Sequence, residues 1–295
     1  MTVVEPAAAS AVGPDVDLEQ VEAGRRRRPA NLGTWIPAGM IAFIVVACFL
    51  GPLLLGLPRP VGGSVLESYL PAGSPGHLLG TDPNGNDILS RLLHGGRASL
   101  LIATTVNLLG LVVGGTLGAL SGYVGGVVDT VIMRVLDVLI AFPSLVLTLA
   151  VAQALGPSMV NTIFALTFFS IPAVARVARS AVLRLREQPF MAAAQLAGTP
   201  GWRVLFKHLA PNIAPQLITF AMLGMGIVII IEGALSFLGL GIPAPAPSWG
   251  NMVADGQLSL SATPMLVVWP SLALLVTVLS FNLLGENLRA RWSGR

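Results

Sequence analysis

The chain of 295 residues is 54% hydrophobic and only 11% charged, where an ordinary soluble domain carries roughly 25% charged residues. Ionisable side chains are absent from residues 29–58, 98–128, 138–175 and 256–285; a membrane span needs only about 20 predominantly apolar residues, so the composition excludes a soluble protein and points to an all-α integral membrane protein. The net charge of +3 is no nucleic-acid signal, because the basic residues divide by membrane side instead of forming one patch.

Residues 1–28 are acidic and Ala-rich, end in Arg25-Arg26-Arg27-Arg28, and lack the basic start, apolar centre and cleavage site of a signal peptide. They are expected to form a disordered cytoplasmic tail ahead of a transmembrane domain over residues 29–295. Span one covers about residues 33–56, with Trp35 at one interface. Its single cysteine, Cys48, leaves no partner for an internal disulfide. The outer segment 57–97 is broken by Pro58, Pro60, Gly62, Gly63, Pro71, Pro75 and Gly85. Within it, the stretch from Asp82 to Asp87 has the look of a calcium loop. Asp87 and Leu93 nevertheless occupy the sixth and twelfth positions, where glycine and glutamate are required. A type I turn leading to a short helix N-capped near Asp87 fits better. Ile88, Leu89, Leu92 and Leu93 would lay one face of that helix along the outer membrane surface.

Span two, about 98–122, carries Gly110, Gly114, Gly118 and Gly122, with Gly126 continuing the spacing. Small residues four apart let helix backbones approach closely in lipid; a Gly-lined permeation path is the alternative. The uncharged interval 138–175 is too long for one helix. Gly156-Pro157 divides it into span three, about 134–155, and span four, about 159–180, with Pro143 and Pro172 as expected kinks. Arg134 and Asp137, three residues apart, are placed to pair at the inner interface.

Residues 186–212, REQPFMAAAQLAGTPGWRVLFKHLAPN, are mixed and punctuated between apolar runs. Pro189 suits a first helical turn, and Gly198 suits its end. Thr199 can N-cap a second helix that has Pro200 first and stops before Pro211. Span five, about 215–238, contains Glu232. An acid at that depth either anchors against another helix or an outer-loop arginine, or faces a water-filled path and a cationic group of the substrate. Span six covers about 264–284. With the N-terminus cytoplasmic, all of the 17 Lys and Arg residues except Arg59, Arg91 and Arg97 fall inside, so the positive-inside rule predicts six spans, both termini in the cytoplasm and a cytoplasmic hairpin.

Lys207, the only lysine, lacks the Gly-rich run of a P-loop, and His77, His94 and His208 lie in separate segments, which argues against a metal site. Phe190-Met191-Ala192-Ala193-Ala194, then Gly198, then Phe206-Lys207-His208-Leu209-Ala210-Pro211-Asn212 resembles the EAA motif of ABC importer permeases, with Ala192 for the usual Glu and Ala210 for the usual Leu. Further segments resemble the branch serving dipeptide, oligopeptide and nickel importers. They are Leu79-Gly80-Thr81-Asp82 through Gly96-Arg97-Ala98-Ser99-Leu100, with Asn86 where Arg is usual; Ser236-Phe237-Leu238-Gly239-Leu240-Gly241 followed by Pro247-Ser248-Trp249-Gly250-Asn251; and Phe281-Asn282-Leu283-Leu284-Gly285-Glu286, with Glu286 for the usual Asp.

This resemblance implies a type I ABC importer permease fold in the bacterial cytoplasmic membrane. The chain would form a pore with a second homologous permease. Two cytoplasmic ATPase subunits would hold the ATP and magnesium, with no cofactor in this chain, and an extracytoplasmic binding protein would deliver dipeptides or oligopeptides. A nickel chelate or haem is the alternative cargo. It further implies that residues 190–198 form a coupling helix: Phe190 and Met191 anchor in an ATPase groove, Ala192, Ala193 and Ala194 permit close approach, Gly198 makes the corner, Arg203 and Lys207 meet acidic groups or lipid phosphates, and Pro211 closes the coupling segment. An ion-gradient-driven carrier and a non-transporting membrane scaffold are the competing classes. Gly198→Pro, or a bulky charged residue at Ala193, is expected to abolish uptake with membrane insertion intact; normal transport by a well-expressed double variant would overturn the coupling assignment.

Overall fold

The structure, a computed structural model, describes residues 32–293; the expected tail 1–28 lies outside the described residues. They form an all-helical protein with no β-sheet among them. Helix α1 is Leu32–Leu54, α2 is Ile88–Val124, α3 is Gly126–Ile140, α4 is Ser144–Leu155 and α5 is Met159–Arg186. Then come α6, Pro189–Leu196, α7, Gly201–Phe237, α8, Trp249–Gln257, and α9, Met265–Ser293. Among the described residues five helices (α1, α2, α5, α7 and α9) are long and apolar enough to cross a membrane, and α3 with α4 makes a sixth if counted as one broken span. Large apolar side chains such as Phe43, Leu53 and Val160 are exposed on the outer faces of these helices, the surface that hydrocarbon covers in a bilayer.

Asp87 caps α2 as expected, its carboxylate accepting from the Ser90 N–H at 2.7 Å. No separate surface helix follows, however. Ile88 is buried, and the helix runs on through a π-helical turn at Gly110–Gly114 to Val124. The glycine stripe accounts for its path. A Cβ on Gly110 would strike the Ser170 side chain; on Gly114, Gly118 and Gly122 it would meet the backbone carbonyls of Ile171, Ala175 and Arg179. The stripe is therefore a packing seam against the parallel helix α5 and lines no path. Gly126 does not belong to it, sitting at φ +57° in the turn that opens α3.

The third span departs furthest from its sequence-based outline. It starts at Gly126 instead of near residue 134, and it is two helices bent by 82° about Ala141–Pro143. Proline forces the preceding residue out of the helical region and brings no N–H of its own. The Ala141 N–H still closes on Asp137 O at 3.0 Å, whereas α4 starts afresh with Pro143 at its N-cap. By contrast, α5 continues through Pro172 without a break.

The main core joins α1, α2, α7, α8 and α9 around Ile102, Val106, Ile229, Leu235, Trp249 and Phe281. Trp249 donates its ring N–H to Leu92 O at 3.0 Å and lies over Gly96, where any Cβ would collide with the indole. A smaller core of Ala119, Val182, Met191, Val204, Leu209 and Ile213 closes the hairpin end. Gly118→Leu is expected to cost at least ~1–3 kcal/mol by overpacking the seam, whereas Gly39→Leu, on an open face of α1, should be neutral. Thermal unfolding of the two detergent-purified variants checks this, and equal midpoints would show that the seam is not under packing constraint.

Candidate functional site

The connection between α5 and α7 is anchored at one end of the bundle. The guanidinium of Arg186 donates to Gly122 O at 2.8 Å. Pro189 opens α6, and Gly198, at φ +66°, ends it, with the Thr199 N–H returning to Ala194 O at 3.1 Å. Thr199 does not cap the next helix. Pro200 holds that position, its carbonyl accepting from the N–H groups of Arg203 (2.8 Å) and Val204 (3.1 Å). Nor does the second helix stop before Pro211. It widens into a π-helical turn at Val204–Leu209 and then carries Pro211 and Pro215 into the span. The wide turn relieves the clash between a proline ring and the carbonyl four residues back, and the Asn212 amide donates to the exposed-side carbonyl of His208 at 2.6 Å.

The residues expected to meet an ATPase divide into two groups. Phe190, Ala192, Ala193, Gly198, Arg203, Lys207 and Pro211 are exposed, and Ala194 is half-buried. Met191 is not an outward anchor. It is 1% exposed and packs with Val182 of α5 and Val204, Leu209 and Ile213 of α7. It fastens α6 to the bundle. The outward apolar surface instead includes Leu196, Trp202 and Phe206, which the sequence pattern alone does not single out. The Arg203 guanidinium stacks 5.2 Å above the Trp202 ring, a cation–π contact.

In mid-bundle, a cavity of about 710 Å³ lies between α2, the α3–α4 break, α5 and α7. Phe142, Leu166, Phe169, Phe220 and Ile227 give it mostly apolar walls, while Asn107, Thr148, Ser170 and Arg176 supply polar points. Arg176 pairs with Asp137 at 2.7 Å, so Asp137 is held by the neighbouring helix and not by Arg134 as the local spacing suggested. Further along α5, Arg179 grips Asp129 with two bonds of 2.6 Å, and Ser121 donates to the same carboxylate.

Glu232 is fully buried and does not line this cavity. One oxygen accepts from Ser236 at 2.7 Å; the other has no hydrogen-bond partner among the described residues, and Ser99 of α2 faces the same carboxyl. Among the described residues no arginine pairs with it. Arg91 is engaged by Asp82 and Asp255, and Arg97 lies over the Phe49 ring.

At the opposite end from the hairpin, the outer segment folds into a dense polar knot. Asp82 accepts from the backbone N–H groups of Asn84 and Asn86, both at 2.8 Å, and pairs with Arg91 at 3.2 Å. Asn86 in turn accepts from the Gly63 N–H at 2.9 Å, and Asp87 meets His77 at 2.9 Å. Asp255 of α8 also reaches Arg91, at 3.1 Å. Burial pushes its carboxyl above the ordinary value, Arg91 pulling it back and Asp82 adding repulsion. The motif segments around Thr81–Arg91 and Ser248–Asn251, far apart in sequence, thus meet at one end of the bundle.

Comparison with known proteins gives a consistent result. The sequence profile of the binding-protein-dependent transport system inner membrane component matches residues 114–293. A glutathione transport system permease protein of Pectobacterium atrosepticum is 42% identical over 73% of this chain and 72% of its own length. A dipeptide transport system permease protein of Alkalihalophilus pseudofirmus is 37% identical over 84% and 81%. A di/tripeptide transport system permease protein of Pseudomonas aeruginosa is 39% identical over 75% and 73%.

The polar knot predicts unequal roles for the two acids that meet Arg91. Arg91→Ala leaves the buried Asp82 unpaired, which costs about 3–5 kcal/mol. Asp255→Asn should cost far less. Because the fold raises the Asp255 carboxyl, that group contributes stability at acid pH which is lost as pH rises, so the asparagine variant gains on the native protein from about pH 4 upward. Unfolding midpoints of both variants across that range provide the check.

Proposed function

The chain belongs to the family of binding-protein-dependent transport system inner membrane components, multi-pass permeases of the bacterial cytoplasmic membrane, and from that premise we propose that it is a pore-forming subunit of an ATP-driven importer of short peptides. In this reading it works beside a second, homologous permease. Two cytoplasmic ATPase subunits bind ATP and magnesium and perform the hydrolysis, and a binding protein delivers cargo at the outer end. The chain itself is a non-catalytic subunit. Peptide as the cargo rests on the names carried by the dipeptide and di/tripeptide relatives. The cytoplasmic placement of both termini and of the hairpin rests on the distribution of arginine and lysine.

The observation that carries the coupling role is the division of labour within the hairpin. Phe190, Leu196, Trp202 and Phe206 are exposed beside two helical turns, while Met191 on the same short helix is locked into the bundle. A partner that grips the outer surface moves α6, and Met191 passes the displacement to Val182 on α5 and to Leu209 and Ile213 on α7. Those two helices wall the mid-bundle cavity. Packed interiors transmit such displacements because they deform little. ATPase closure would in this way change access to the cavity from a site far below it. In this arrangement Glu232 is buried with its carboxyl held by Ser236 of its own helix.

Two substitutions separate grip from transmission. Phe190→Ala with Trp202→Ala should reduce copurification of the ATPase by about tenfold or more, since truncating aromatic anchors at an interface costs on the order of 2 kcal/mol each. Met191→Ala should retain the ATPase yet lower transport per ATP hydrolysed. Equal effects of both on ATPase association would sink this division. A binding protein that purifies with a nickel chelate or haem in place of peptide would remove the cargo assignment. Transport by the lone chain in liposomes under an ion gradient would remove the ATP-driven reading altogether.

A further inference from the structure

Two ion pairs join α3 to α5, and they are built differently. Arg179 and Asp129 make a bidentate contact reinforced by Ser121, with side chains 34% and 19% exposed. Arg176 and Asp137 share one short bond, with side chains 51% and 46% exposed. The first pair already ties the two helices. The second is the weaker tie, and Arg176 lines the mid-bundle cavity whose other walls are largely apolar. Ionisable groups within a membrane domain are retained where they face one another or a polar path. A guanidinium held by a single replaceable bond still presents free N–H groups in the fork geometry that suits a carboxylate.

We infer that Arg176 receives the carboxylate end of a short peptide passing through the cavity, Asp137 serving as the counter-ion that this carboxylate displaces. The inference rests on the peptide-importer reading and adds to it the group in the permease that reads the cargo. Its chemistry is exchange without a covalent step: one carboxylate leaves the guanidinium as another arrives, so the cation never stands unpaired in a low-dielectric wall. The cavity, about 710 Å³, falls within the range of roughly 300–1,000 Å³ typical of small-molecule sites. Asn107, on α2, also lines the cavity. Its amide donates to Ala103 O and to the Met225 sulfur, which leaves its carbonyl oxygen, beside Gly224, to accept an N–H from the cargo backbone. Arg179 does not compete, because Asp129 clamps it bidentately and it does not line the cavity.

The test is uptake of labelled dialanine by cells carrying the complete transporter, with the amount of permease in the membrane and its copurified ATPase measured in parallel. Arg176→Gln should lower maximal uptake about tenfold, the loss of a charge-assisted bond, without changing the half-saturating concentration that the binding protein sets. Arg176→Lys should restore most of it. Asp137→Asn removes the displaced counter-ion but leaves the guanidinium in place, and should lower uptake much less than Arg176→Gln does. A pair that merely braces the helices behaves otherwise: Asp137→Asn and Arg176→Gln then fail alike, and the charge exchange of Asp137→Arg with Arg176→Asp restores uptake. Either result overturns the inference, as does an Arg176→Gln variant with native uptake. If Arg176→Gln does not reach the membrane, the contrast between Arg176→Lys and the exchanged pair decides. Failure of the native transporter to take up dialanine overturns the peptide reading itself and this inference with it; native uptake combined with a symmetric loss overturns only the inference.

Discussion

Lipid tails are as apolar as the side chains they surround, so helices in a bilayer gain little from hiding hydrophobic surface and must hold together by close packing. In this protein a glycine seam meets much of that requirement. Gly110, Gly114, Gly118 and Gly122 bring the backbone of α2 against Ser170, Ile171, Ala175 and Arg179 of α5. The position of α5 then governs three other parts of the molecule. The helix carries Arg176 and Arg179, which hold α3; it supplies Leu166, Phe169 and Val174 to the cavity; and it offers Val182 to the hairpin's small core. A displacement of α5 by the width of a methyl group would be felt at all three places.

The two ends of the bundle obey opposite rules. At the end opposite the hairpin, Thr81, Asp82, Asn86, Asp87 and Arg91 are buried and bonded to one another or to backbone. Buried polar networks of this kind specify one arrangement when every member is satisfied. At the hairpin end, backbone turns and one small apolar core fix the helices, and the aromatic side chains are left outward. One end is completed by its own chain, while the other presents a surface for something else to complete.

Much of this organisation could be read from the residues. Uncharged runs longer than a bilayer located the spans, the four-residue glycine spacing indicated the seam, and the Asp87 cap and Gly198 turn follow from local stereochemistry. What escaped depended on contacts between distant segments. Asp137 has Arg134 three residues away, yet the helix turn aims it at Arg176, 39 positions on. An apolar Met191 on a short helix between spans suits an outward anchor as well as an inner fastener; only the placement of Val204 and Leu209 decides. Pro143 announces a discontinuity, but its 82° magnitude is set by what α3 and α4 pack against. Trp202 and Phe206 lie just after the helix start, and their outward direction depends on a π-helical turn that no propensity encodes.

That turn, Val204–Leu209, also sets a phase. An α-helix advances about 100° per residue, so the residue accommodated in the widened turn rotates everything before it relative to everything after it. Were the turn to tighten into α-helix, Trp202 and Arg203 would swing by about that angle around the axis while the span beyond Pro211 stayed in register. The face that the hairpin turns outward is thus fixed by a single extra residue in this turn.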